Sequence, residues 1–255
     1  MNPAADVVVR QREEGELVGY EVAALTLNPM PARPPRWVDW TAQGVLDLRR
    51  AINVVVAAVA LILLSPLLLL IAVLVKLSSP GPVIYRQTRV GIDRRRGENP
   101  YWQLRRRVDY GGRLFTIYKF RTMRPQAGPT HEVWARPDDD RVTAVGRVLR
   151  KYRLDELPQL VNVLKGDMNI VGPRPEQPRI FMDLREQIGG YADRQRVLPG
   201  ITGWAQINQS YDTSIDDVRR KVRYDLEYIH RQSTLQDLQI LMRTVPVMLF
   251  KKGAW

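Results

Sequence analysis

Apolar and polar positions repeat with different periods along this chain. From Val54 to Val75 the sequence is uncharged and almost wholly apolar (VVVAAVALILLSPLLLLIAVLV), with Arg49 and Arg50 before it and Lys76 after it. A straight helix of that length would reach about 33 Å, close to the roughly 30 Å hydrocarbon thickness of a bilayer, which favours a membrane helix over a buried core helix. Ser65 and Pro66 fall at its centre. Proline removes a backbone donor and clashes with the carbonyl four residues back, on Ile62, so a bend is expected there, with the Ser65 hydroxyl placed to bond the freed carbonyl. The run then either spans with a kink or enters and returns on one face. Cations at both ends lean only slightly toward the second arrangement, and sequence physics leaves the two nearly even.

Ahead of this run, Trp37, Trp40, Val45 and Leu46 stand among polar residues up to Leu48, a pattern suited to a helix at headgroup level. The tract Asn28 to Pro35 (NPMPARPP) reads as a linker. After Pro80-Gly81-Pro82, two strand-like runs, Val83 to Gly91 and Leu114 to Phe120, predict a β-hairpin with a long tip. Leu157, Leu160, Val161 and Leu164 give one apolar face of a helix starting at Asp155 as N-cap and stopping at Gly166. Further on, Ser214 can cap a helix with Val218, Val222, Leu226 and Ile229 on one face. Thr234 can cap another carrying Leu238, Leu241, Val245 and Leu249, interrupted by Pro246, which suits a membrane surface and a core face equally. Three regions follow: a peripheral segment and linker (1–36), an interfacial and membrane helix (37–79), and a cytoplasmic catalytic domain (80–255) with a basic loop at 92–113.

Composition narrows the chemistry. There is no cysteine among the 255 residues and there are two histidines, His131 and His230, so thiolate and imidazole chemistry give way to carboxylates, lysines, tyrosines and hydroxyls. The first forty residues lack a signal-peptide pattern, which points to a cytoplasmic catalytic part. A formal charge of +12 calls for an anionic partner. From Arg86 to Arg124 there are twelve Arg or Lys against three Asp or Glu, with triplets at Arg94 to Arg96 and Arg105 to Arg107 around Tyr101 and Trp102. Such a cluster can bind a single-stranded nucleic acid. Beside a membrane helix, anionic phospholipid headgroups explain it better.

The segment Arg150 to Glu176 (RKYRLDELPQLVNVLKGDMNIVGPRPE) concentrates the reactive groups. Phosphoryl transfer needs an in-line nucleophile, a cation over the phosphate oxygens and fixed donors for developing charge. Asp155 can attack, Glu156 can hold Mg2+, and Arg150, Arg153 and Arg174 can neutralise a diphosphate, with Arg174 held between Pro173 and Pro175. The plainer alternative makes Asp155 a helix cap and pairs Arg174 with Glu176. Trp204 can stack on a base or pack, and packing is favoured.

The string LDELPQLVNVLKGDMNIVGPRPE, with KFRTM at Lys119 to Met123 and PGITGWAQIN at Pro199 to Asn208, resembles the small monotopic phosphoglycosyl transferases of the bacterial sugar transferase family. The resemblance runs from about Arg49 to the end, and departs between Gly91 and Phe115, where an insertion replaces a short hairpin tip. It implies a mixed α/β, mainly helical monotopic membrane protein with a re-entrant helix broken at Ser65-Pro66, a short β-hairpin and amphipathic interfacial helices. It also implies transfer of a phospho-sugar from a UDP-sugar to a polyprenol phosphate, undecaprenyl phosphate above all, by a ping-pong mechanism releasing UMP, as the opening step of glycoconjugate or exopolysaccharide synthesis. Carried over by position, Asp155 is the nucleophile, Glu156 the Mg2+ ligand, and Lys119, Arg121, Arg150, Arg174 and Arg194 the phosphate-binding cations. The expected site is the cytoplasmic face of the bacterial inner membrane, with a homodimer allowed and no nucleic acid. A direct glycosyltransferase releasing UDP and a membrane-tethered nucleic-acid binder are the rival readings.

Overall fold

A computed structural model describes residues 43–93, 110–125, 139–209 and 214–249. The tryptophans at 37 and 40, the linker, both arginine triplets and the last six residues lie outside the described residues. The apolar run divides into two helices, α1 (Gln43–Leu63) and α2 (Ser65–Ser78), which meet at a bend of 63°. The cause is local. Pro66 has no N–H to offer the Ile62 carbonyl, and the Ser65 hydroxyl donates to it instead at 2.8 Å. The helical ladder resumes on either side, from the Leu64 amide to the Ala60 carbonyl and from the Leu68 amide to the Leu64 carbonyl. Among the described residues no single helix is long and apolar enough to cross a membrane, while the bent pair is so when taken together. α1 is continuous from Gln43, so the residues from there to Leu48 belong to the same helix as the apolar run.

One side of the bent pair faces the rest of the molecule. Ala57 of α1 packs with Phe115, Ile117, Leu160, Val163 and Met168, and Ile71 and Val75 of α2 pack with Phe120 and Leu149. The opposite side leaves Val55, Val59, Ile62, Leu63, Leu69, Leu70 and Leu77 exposed. Near its start α1 is polar and tied down. The Arg49 guanidinium donates to Asp237 and to the Tyr228 hydroxyl, and Asn53 accepts from the Ile170 amide.

The hairpin forms as its alternation predicts, from β1 (Ile84–Val90) and β2 (Leu114–Phe120), antiparallel, with Tyr85 opposite Lys119 and Arg89 opposite Phe115. Its outer edge is closed by one side chain. Asn162 accepts from the Tyr118 amide and donates to the Thr116 carbonyl, taking the place of a third strand. Then come α3 (Ala144–Lys151), α4 (Gln159–Lys165) and β3 (Asn169–Val171), and after α5 (Pro178–Gln187) a short β4 (Gly200–Thr202) pairs in parallel with β3. The approach of these strands is close enough to demand glycine: a Cβ on Gly200 would sit 2.1 Å from the Gly172 nitrogen.

α6 (Trp204–Asn208), α7 (Ile215–Arg231) and α8 (Thr234–Leu249) complete a mixed α/β fold that is mostly helical. Ser214 caps α7 in a reciprocal capping box with Asp217, as its position predicts, and Val218, Val222 and Ile229 are buried. For α8 the expectation needs correcting. Ser233, not Thr234, is the cap, its hydroxyl accepting from the Gln236 amide. Pro246 lies inside the helix without ending it. Ile240 is buried and Leu241 packs beside it, while Leu235, Leu238, Met242 and Val245 are exposed, so Leu238 and Val245 of the foreseen stripe face outward and Leu241 faces the core. The inward side also carries Asp237 and Thr244, which bond to Arg49 and Thr202. Trp204 packs, its indole N–H donating to Glu227, with Arg243 over its ring.

Candidate active site

Thr143 caps α3 by accepting from the Gly146 amide, and the helix ends at Tyr152. Arg153 then takes a left-handed backbone with φ 53°, which costs a residue bearing a Cβ about 1 kcal/mol. The chain passes into a single 3-10 turn, Leu154–Glu156, and only afterwards, past Pro158, into α4. Asp155 is therefore not the N-cap its sequence context suggested. The turn closes through the Glu156 and Leu157 amides on the carbonyls three residues back, and α4 takes Pro158 as its cap. α4 ends as expected, at Gly166 with φ +83°.

This turn buries two adjacent carboxylates with opposite surroundings. Glu156 is 6% exposed and saturated by cations. The Lys119 ammonium bonds it at 2.8 Å, the Arg174 guanidinium grips both oxygens at 2.6 and 3.3 Å, and Arg153 lies at 3.9 Å. Burial alone would raise its pKa, but Arg174 and Lys119 overrule it and hold the group well below the usual carboxylate range. Asp155, 9% exposed, is pushed the other way, up to about 6, by burial first and then by the Glu156 charge, against the pull of Lys119, Arg174 and Arg150. The result is a carboxylate ionised at neutral pH, costly to keep charged, and facing lysine and arginine side chains. Those properties suit a nucleophile toward phosphorus.

Of the cations expected from the sequence, the fold brings Lys119, Arg150 and Arg174 to the carboxylate pair. Lys119 comes from β2, and burial lowers its pKa. Arg150 comes from α3, its Nε donating to the Thr122 hydroxyl at 2.9 Å. Arg121 and Arg194 are used elsewhere. Arg121 donates to the carbonyls of Pro82, Ser79 and Val75, closing the end of α2 and the Pro-Gly-Pro turn. Arg194 is 2% exposed and binds Asp225 at 2.6 Å and the Tyr191 hydroxyl at 2.9 Å. Neither has its guanidinium turned to the carboxylate pair: backbone carbonyls hold both terminal nitrogens of Arg121, and Asp225, Tyr191 and the Arg174 carbonyl hold the nitrogens of Arg194. Nor does Arg174 pair with Glu176, which binds Lys221 instead at 2.7 Å. Sequence reasoning passed over Arg89. It lies on β1 within electrostatic reach of Arg174 and Glu156, and burial lowers its pKa. Its period-2 placement in the basic hairpin was the available signal, masked by the many arginines around it.

Among the described residues no group of three or more acidic or histidine side chains gathers as a ready metal cage. The donor set is nevertheless compatible with Mg2+, which commonly takes one or two carboxylates and completes its shell with substrate phosphates and water. Glu156, whose proton affinity is already low, fits that part once its cations pass to a bound diphosphate.

The bacterial sugar transferase family model matches residues 45–251. The chain belongs to that family. It is 43% identical over 208 residues to the UDP-N-acetylgalactosamine-undecaprenyl-phosphate N-acetylgalactosaminephosphotransferase of Aeromonas hydrophila, covering 81% of this chain and 45% of that one. To the UDP-glucose:undecaprenyl-phosphate glucose-1-phosphate transferase of Escherichia coli it is 42% identical over 232 residues, 90% of this chain and 46% of the relative. The protein of the same name from Caulobacter vibrioides is 37% identical over 256 residues, 99% of this chain and 86% of the relative. The chain thus spans about half the length of the first two relatives and most of the third.

Proposed function

We propose that this protein transfers a phospho-sugar from a UDP-sugar to undecaprenyl phosphate at the cytoplasmic face of the bacterial inner membrane, opening the synthesis of an exopolysaccharide or other glycoconjugate. The observation that carries the reading is the carboxylate pair, with Asp155 pushed up to about 6 beside a Glu156 held ionised by Lys119 and Arg174. The printed names of the relatives supply the substrate classes.

In the first half-reaction an Asp155 carboxylate oxygen attacks the β-phosphorus of the UDP-sugar. The bond from that phosphorus to the bridging oxygen breaks, UMP departs with the electron pair, and an acyl phosphate carrying the sugar remains on Asp155. In the second, a phosphate oxygen of the polyprenol attacks the same phosphorus. The acyl phosphate bond breaks and the Asp155 carboxylate is restored. Lys119, Arg150 and Arg174 balance the charge on the phosphoryl oxygens. Mg2+ held by Glu156 would add further shielding of the diphosphate. The exposed apolar side of α1 and α2 would be immersed in lipid, with Arg49, Asn53 and the chain after Ser78 held by the catalytic part on one face of the bilayer.

The decisive experiment incubates the full chain in lipid nanodiscs with Mg2+ and a UDP-sugar, with and without polyprenol phosphate, and identifies the nucleotide released. UMP, with a burst lacking acceptor and a sugar-phosphate mass on Asp155, is the expected result. Release of UDP would mean direct glycosyl transfer and end this proposal.

A further inference from the structure

The segment that carries Arg174 has no secondary structure, yet its backbone is held along its whole length. Pro173 and Pro175 have no N–H, so the carbonyls are its main means of attachment, and four successive ones are bonded by donors from separate parts of the fold. The Gly200 amide donates to Pro173 at 2.9 Å, the Arg194 guanidinium to Arg174 at 3.0 Å, the Arg89 guanidinium to Pro175 at 3.1 Å, and the Val90 amide to Glu176 at 2.9 Å. Proline rings restrict φ at their own positions and bias Arg174, which precedes a proline, to extended backbone. They leave the peptide planes free to rotate about ψ. A bonded carbonyl removes that freedom, because its direction is the orientation of the plane.

Two of the four donors are side chains, and each is itself held in place. Arg194, 2% exposed, keeps its Nε on Asp225 and one terminal nitrogen on Tyr191, with Glu176 at 3.8 Å. Arg89 lies 4.0 Å from Glu176, which Lys221 of α7 binds in turn. The chain of contacts runs from α7, through Asp225 to Arg194 and through Lys221 and Glu176 to Arg89, and then to the backbone of Arg174 and Pro175, with the Arg174 guanidinium ending on Glu156.

We propose that Arg194 and Arg89 are positioning residues for phosphoryl transfer: they clamp the carbonyls of Arg174 and Pro175, with Asp225 and Glu176 holding the clamps, and so fix the Arg174 guanidinium at the reacting phosphate. This rests on the transfer reaction proposed above. A conventional salt-bridge role for the Arg194–Asp225 pair would support the fold alone. A clamp acts through Arg174 and has no effect on catalysis where that side chain is missing.

The test is a double-mutant cycle on the full chain in nanodiscs, reading single-turnover UMP release and thermal unfolding together. Arg194→Lys keeps the charge but loses the fork that reaches Asp225, Tyr191 and the Arg174 carbonyl at once. It is expected to slow UMP release on the order of 10- to 100-fold, the scale of a misplaced catalytic group, with the KM for UDP-sugar changed far less. In an Arg174→Ala background the same substitution is expected to slow release less than about twofold, while lowering the unfolding temperature equally in both backgrounds. Equal slowing in both backgrounds, or an unslowed but folded Arg194→Lys, overturns the clamp. Arg89→Lys provides an independent cycle on the neighbouring carbonyl with the same expected pattern, and serves should Arg194→Lys fail to fold. UDP in place of UMP from the unmutated protein would instead reject the reaction on which the clamp rests, a failure visible before any variant is compared.

Discussion

Asp155 and Glu156 are neighbours in sequence and differ in everything that governs their reactivity. Cations are bound to Glu156 by short bonds, whereas Asp155 feels them at longer range and carries the full cost of burial. A carboxyl raised in the folded state binds its proton more tightly there than in the unfolded chain, so stability is greatest below its ordinary value of 3.8 and falls as pH rises through about 6. At neutral pH the ionised Asp155 thus costs the fold on the order of 2–3 kcal/mol. Asp155→Asn is expected to abolish the sugar-phosphate adduct and to raise unfolding stability by about that amount, seen in denaturant melts at pH 7.5. An inactive variant that is markedly less stable would contradict the electrostatic account. Ionisation should also govern rate: single-turnover UMP release is expected to rise about tenfold per pH unit below the Asp155 pKa and to level off above it. A flat profile between about pH 5 and about pH 8 would show that another group limits the step.

At the scale of elements, the bend between α1 and α2 follows from one missing N–H and one hydroxyl that replaces it. In Pro66→Ala the Ile62 carbonyl can again accept from residue 66, and the two helices are expected to straighten. Spin labels at Leu48 and Leu77, both exposed, would then move apart, and an unchanged separation would assign the bend to packing against Phe120 and Leu149 instead. How much of each element the sequence disclosed depended on whether its cause was local. β2 was legible to the residue, because alternation over seven residues is a local pattern. The start of α4 was misjudged because a cap-like Asp and a helical apolar spacing say nothing of the 3-10 turn that Leu154–Glu156 form ahead of Pro158. The cap of α8 moved by a single residue because Ser233 and Thr234 are chemically equivalent as caps.

Across the whole molecule, the bent helix pair is attached to the catalytic part by polar bonds as well as by packing. Arg49 on α1 meets Asp237 on α8 and Tyr228 on α7, and Tyr228 also donates to the Val171 carbonyl just before the Gly172–Glu176 segment. Removing the acid leaves Arg49 with a half-filled shell at a site where its side chain is 10% exposed. Asp237→Ala is expected to cost about 2–4 kcal/mol and to loosen α8 more than the hairpin, measurable as faster amide exchange in Thr234–Leu249 than in Leu114–Phe120. Loss confined to the hairpin would contradict the attachment described.

Three local features are legible in the order of residues: the apolar run with its break at Ser65-Pro66, the hairpin strands and the capping of α7, whereas Asp155 and Glu156 came with five undivided cations, Lys119, Arg121, Arg150, Arg174 and Arg194, on the strength of a family resemblance. Those three features depend on residue type and short spacing, which a linear string records. Which of the arginines belong with the carboxylates is settled across the fold. Arg121 and Arg194 are as basic as Arg174, and what separates them is the acceptor each finds across the fold: carbonyls at the end of α2 for one, Asp225 on α7 for the other. The difference between Asp155 and Glu156 arises in the same way. A pKa depends on burial and on charges brought close in space, and neither can be read from the order of residues along the chain.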